Sequence, residues 1–117
     1  MKINQKIYYV QVPLNSEGLK ELDYCDEELK NVQTFEFSVS EINFLMKLFL
    51  QFNEAFCLSI DEYEYERMPA SVISEALVMM QSFETTSEKE EEQNSINRLN
   101  NALQLASKLN MPSDFDF

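Results

Sequence analysis

Apolar and polar positions along the 117-residue chain change period several times, and each change marks an element. Residues 7–12 (Ile7, Tyr8, Tyr9, Val10, Gln11, Val12) are mostly β-branched and aromatic and stop at Pro13, which predicts a strand. The stretch 14–31 is acidic and irregular, and its Leu19, Leu22, Tyr24 and Leu29 suit a short helix or a loop anchored on a core. From Val32 to Phe37 the chain places Phe35 and Phe37 on one face and Glu36 on the other. This predicts a second strand, paired antiparallel with the first.

Helical spacing follows. Ser38, Val39, Ser40 and Glu41 form a capping-box pattern, in which the serine hydroxyl takes the Glu41 amide and Glu41 reaches back. The helix it opens carries Ile42, Phe44, Leu45, Met46, Leu48, Phe49, Leu50 and Phe52, which cover nearly its whole circumference and predict a central helix buried on most sides. It runs to Asn53 or on to Phe56, where a short apolar segment, 56–60, begins. Pro69 stands at a first-turn position before Val72, Ile73, Ala76, Leu77, Met79, Met80 and Phe83, a one-faced stripe. After the polar stretch 84–94, read as a loop or a frayed first turn, Ile96, Leu99, Ala102, Leu103, Ala106 and Leu109 form the stripe of a third helix, ended by Asn110 and Pro112. Phe115 and Phe117 in the tail are expected to dock back on the core, since exposed aromatics lower solubility. The sum is an α+β fold: a helix-dominated single domain over 1–117, with a small N-terminal antiparallel sheet and three main helices. An all-α arrangement is the alternative if the strands fail to form.

Composition narrows the chemistry. There is no histidine and one glycine, so no His-based triad, His-ligated zinc, imidazole shuttle or glycine-rich phosphate loop can be built. No nucleophile–base pair is recognisable, and the expectation is a protein that is not an enzyme and needs no cofactor. Cys25 and Cys57 form no CxxC pair. They are read as free thiols, with Cys57 packed among Phe56 and Leu58. The N-terminal run lacks the pattern of a signal peptide, and the longest apolar stretch, 44–52, falls short of the ~20 residues of a membrane span. The expected address is the reducing cytoplasm.

Charge then points to partners. Against 9 basic residues stand 21 acidic ones, a formal net charge of −12, which repels nucleic acid and anionic membrane and attracts basic surfaces. The acids bunch in three places. Asp61, Glu62, Tyr63, Glu64, Tyr65 and Glu66 put four carboxylates and two tyrosines in six residues, with no base until Arg67. They lack the spacing and the glycine of a calcium loop, and no motif supports a glycosidase pair. As a contact surface they fit better: tyrosine gives a rigid amphipathic body, and carboxylates take arginine or lysine. Asp23, Tyr24, Asp26, Glu27 and Glu28 form a second patch, while residues 88–92 carry charge without aromatic anchors and read as a solvated surface. Met46, Met68, Met79 and Met80 read as core filler.

With its acidic balance, its strand–helix beginning and the run from Ile60 through Glu66 into an amphipathic helix, the chain resembles bacterial toxin immunity proteins, such as those of contact-dependent growth inhibition and other polymorphic toxin systems. The resemblance implies a cytoplasmic protein in a tight one-to-one complex with a cognate toxin domain, often a basic nuclease. It implies that residues 61–66, with Asp23, Tyr24 and Asp26, meet that partner. The alternative is an acidic nucleic-acid mimic that inhibits a nucleic-acid-binding or defence protein, for which the acids would have to follow the phosphate repeat along one face.

Overall fold

The computed structural model describes residues 6–84 and 89–117. Along the chain come strand β1 (Tyr8–Pro13), helix α1 (Ser16–Asp23), strand β2 (Val32–Phe37), helix α2 (Val39–Phe56), strand β3 (Tyr65–Met68), a 3-10 turn (Ala70–Val72), helices α3 (Ile73–Glu84) and α4 (Glu90–Leu109), and strand β4 (Ser113–Asp116). All strand pairs are antiparallel, in the order β2-β1-β4-β3. The fold is α+β, and β1 and β2 pair as the sequence predicts, Tyr8 opposite Phe37 and Val10 opposite Phe35.

The sheet is not confined to the N-terminal part. β4 comes from the tail and lies between β1 and β3, and β3 comes from the acidic run itself. Each has four residues, shorter than the ~5–6 of a common strand, and Arg67, Asp114 and Asp116, which help to mask them, belong to the outward face. Inward, Tyr8, Val10, Val12, Phe37, Met68 and Phe115 are buried against α2, α3 and α4 in one core. The register puts Tyr9, Gln11, Tyr65, Arg67, Asp114 and Asp116 on the opposite face.

Both halves of the capping box are present: the Ser38 amide donates to Glu41 Oε1 at 2.9 Å and the Glu41 amide to Ser38 Oγ at 3.3 Å. Helix α2 buries Ile42, Leu45, Leu48, Phe49 and Phe52 but is not enclosed on most sides, because Leu50 on its outer face is 59% exposed. The more central helix is α4, which packs on β1, β2, β4, α2 and α3 through Ile96, Leu99, Ala102, Leu103 and Ala106. It starts at Glu90, ahead of its apolar stripe, because three glutamates in the first turn suit the positive end of the helix dipole. Pro69 caps the 3-10 turn and α3 begins only at Ile73. The tail docks as expected: the Phe49 ring lies 5.6 Å from Phe115 and 5.5 Å from Phe117. Cys57, expected among apolar neighbours, is exposed; it ends α2 at φ 56°, and this left-handed turn swings it outward. Residues 85–88, including Glu88 of the charged block, and residues 1–5 lie outside the described residues.

The single glycine has a structural reason. A Cβ on Gly18 would stand 2.0 Å from the carbonyl oxygen of Asn31, the oxygen that accepts the Leu14 amide. Helix α1 can lie this close to the incoming β2 segment only without a side chain there. Gly18→Ala is expected to cost ~1–3 kcal/mol as an overpacked site, read as a lower thermal midpoint with the circular dichroism of the folded state retained.

Candidate functional site

The acidic-aromatic run is held from both sides. After the left-handed cap at Cys57, the Asn53 side chain clamps the next segment, accepting the Ile60 amide at 2.8 Å and donating to the Ile60 carbonyl at 2.9 Å, while Ile60 itself is buried. A turn follows in which the Glu64 amide donates to the Asp61 carbonyl at 3.2 Å. Tyr63 sits in this turn at φ 64°, a left-handed conformation that glycine or asparagine adopts at less cost, and the residue is 79% exposed. Lys6 lies over its ring, 4.1 Å from the centroid.

Beyond the turn, β3 carries Tyr65 and Arg67 onto the outward face beside β4. Asp114 on β4 has no exposed surface, and Arg67 meets it with two parallel bonds, Nε to Oδ1 at 2.7 Å and Nη2 to Oδ2 at 3.0 Å. The Tyr65 hydroxyl donates to the same carboxylate. Arg67 also reaches Asp23 at 2.8 Å. Asp23 is the last residue of α1, where the helix dipole disfavours a negative charge, so the guanidinium offsets a local cost as well as joining two elements.

This ion pair brings the two sequence-predicted segments onto one surface. Tyr24, next to Asp23, is 78% exposed, and Tyr65 is 53% exposed; with Tyr63 they make three outward tyrosines. Asp26 is exposed as well. The carboxylates of residues 61–66 divide into two kinds. Glu62 accepts the Tyr8 hydroxyl at 2.7 Å, and Glu66 accepts the Ser59 amide at 2.7 Å, so these two hold the fold. Asp61 and Glu64 enter no ion pair among the described residues and face the exterior. Sequence reasoning missed Arg67, Asp114 and Lys6. The one available signal was the pairing of a lone arginine after an acidic run with an acid in an alternating tail.

The environment displaces several protonation equilibria. Burial, and then the hydrogen bond to Glu62, push the Tyr8 hydroxyl up to about 12. Tyr65 is raised further by burial of its hydroxyl and by Asp114, and Arg67 is raised chiefly by its bonds to Asp114. Glu21 is lowered, first by the Asn31 side-chain amide that it accepts at 2.8 Å. For the two tyrosines the folded state keeps a proton that the unfolded chain gives up near pH ~10. Stability is therefore full below that pH and falls as pH rises towards about 12 for Tyr8. Thermal midpoints measured from pH 9 to 12 are expected to drop across this window, and Tyr8→Phe to flatten the drop.

Compared with known proteins, the chain matches no family model, no curated protein and no solved structure. Among the described residues no three carboxylate or thiol groups converge to hold a metal ion. A cavity of about 660 Å³ lies at the β2 edge, but its arginine, Arg98, is already committed to Glu41 at 2.8 Å and to the Glu36 carbonyl at 3.1 Å. No helix of the described residues is long and apolar enough to cross a membrane.

Proposed function

We propose that the protein is a binding protein without catalytic activity that neutralises a basic partner domain, most simply as the cytoplasmic immunity protein of a cognate bacterial toxin of nuclease type. The observation that carries this reading is the Arg67–Asp23 ion pair, which brings the end of α1, with the exposed Tyr24 beside it, against β3 with the exposed Tyr65, so that two acidic-aromatic segments far apart in sequence meet. Such a surface supplies both requirements of a fast, tight inhibitor. Net charge steers a basic partner and raises the association rate, whereas rigid tyrosines give the desolvated anchors that slow dissociation. A nanomolar complex requires about 12 kcal/mol of net binding energy, which rim charge does not supply.

The alternative, an acidic mimic of nucleic acid, requires carboxylates spaced along one face. Here Glu62 and Glu66 are turned to internal donors, which leaves the exposed acids interrupted. The decisive experiment is affinity capture with the tagged chain from a lysate of the organism that encodes it, followed by co-expression of the captured domain with and without this protein. A basic domain that is toxic alone and silent when co-expressed supports the immunity reading. Capture of a nucleic-acid-binding defence protein, released by competing DNA, supports the mimic instead.

A further inference from the structure

Next to the turn that presents Tyr63 lies a cleft of about 470 Å³, between the outer face of α2 and the segment that leads into β3. Its apolar side is made by Met46, Leu50 and Leu58, and its opposite rim by Asp61 and Glu64. Leu50 is the large apolar side chain of α2 that the core leaves out. The cleft is built in advance: the two Asn53 bonds to Ile60 and the 3.1 Å bond from the Leu58 amide to the Asn53 carbonyl fix its walls to one helix. A preformed apolar notch loses little ordering free energy on binding.

We infer that this cleft receives an aliphatic side chain of a basic protein segment, with lysine or arginine on either side of that residue meeting Asp61 and Glu64. The inference rests on the proposed reading of a basic protein partner and adds what that partner must present. Charge complementarity selects the occupant. Neither Asp61 nor Glu64 has a cationic partner among the described residues, so an apolar segment bearing its own carboxylates is repelled and a second copy of this −12 chain is disfavoured. The notch shares Asp61 and Glu64 with the Tyr63 turn, so a single bound segment can use both the aliphatic pocket and the exposed ring.

The test titrates the full chain, labelled for methyl and amide NMR, with two synthetic peptides, KRKLKRK and KRKAKRK. The leucine peptide is expected to bind about tenfold more tightly, the gain of a buried leucine over alanine, and to shift the Met46, Leu50 and Leu58 signals. Leu50→Ser, at an exposed position that does not endanger folding, is expected to remove the advantage. Equal affinity of the two peptides, or binding equally well by an uncharged GSGLGSG, overturns the inference. If both basic peptides shift Tyr24, Tyr63 and Tyr65 while the notch stays unmoved, the inference fails and the wider acidic-aromatic reading survives. If the notch shifts and none of the three tyrosines does, the notch stands and the wider reading fails. Absence of binding by either basic peptide counts against the notch.

Discussion

Arg67→Ala should lose about 3 kcal/mol of folding stability, because it leaves a buried carboxylate without its cationic partner. Asp114 is fully buried, and Arg67 supplies two of the bonds that hold its charge. Removing one partner of a buried ion pair costs ~3–5 kcal/mol. The lower end applies here, since the Arg67 side chain keeps 31% of its surface exposed and Tyr65 still donates to the carboxylate. With a urea dependence of ~1–3 kcal/mol per molar, the unfolding midpoint should fall by about 1–3 M. The double variant Arg67→Leu with Asp114→Leu should recover much of the loss, because it removes the stranded charge along with the pair. A midpoint for Arg67→Ala within experimental error of the parent would show that Asp114 is satisfied without it.

Phe49→Ala should be comparably damaging for a different reason. Phe49 is fully buried, and its ring lies within reach of Phe52, Phe115 and Phe117, so it joins α2 to the last strand. Truncating a buried phenylalanine costs ~3–5 kcal/mol through lost transfer free energy and the cavity left behind. Leu45→Ala and Leu48→Ala, both fully buried on the same helix, belong to the ~2–5 kcal/mol range of leucine truncations. Since small domains are stable by only ~5–15 kcal/mol, the phenylalanine variant should unfold at a clearly lower denaturant concentration, with loss of near-ultraviolet dichroism at lower temperature.

Of those two sites the sequence pointed to Phe49, on an apolar helix, and not to the Arg67–Asp114 pair, whose partners lie in different segments. Elements whose signal is local could be read: the capping box at Ser38 and Glu41, the alternation over β2, and the stripe from Ile96 to Leu109 each specify an element from neighbouring residues. The docking of Phe115 and Phe117 followed from the cost of exposing aromatic rings. β3 escaped because two of its four side chains, Tyr65 and Arg67, point outward and are matched only by Asp114 and Asp116, about fifty positions along the chain. A run of acids hides a strand when the charges that complete it lie in another segment. The proposed contact surface could be singled out by its residue types but not by its division of labour. Nothing in the order of residues 61–66 tells that Glu62 and Glu66 turn inward to Tyr8 and Ser59 while Asp61 and Glu64 turn out. The left-handed backbone of Tyr63 is likewise invisible in sequence, because it is imposed by the turn between a clamped Ile60 and a strand.

That backbone provides the sharpest test of the binding role. A tyrosine in the left-handed region costs ~1–2 kcal/mol relative to a residue at ease there, so at an exposed turn it is a poor choice for stability alone. Tyr63→Gly relieves this strain, at the expense of the Lys6 contact and some chain entropy, and should leave thermal stability near that of the parent. The measurement is the dissociation rate of the captured basic domain from the parent, from Tyr63→Gly, and from a triple variant with Glu90, Glu91 and Glu92 changed to glutamine. If Tyr63 anchors the partner, its loss should speed dissociation by about thirtyfold, the equivalent of a ~2 kcal/mol hot spot, while the triple variant should slow association and leave dissociation nearly unchanged. A folded Tyr63→Gly protein that releases its partner at the parental rate would contradict the assignment of the acidic-aromatic surface as the contact face.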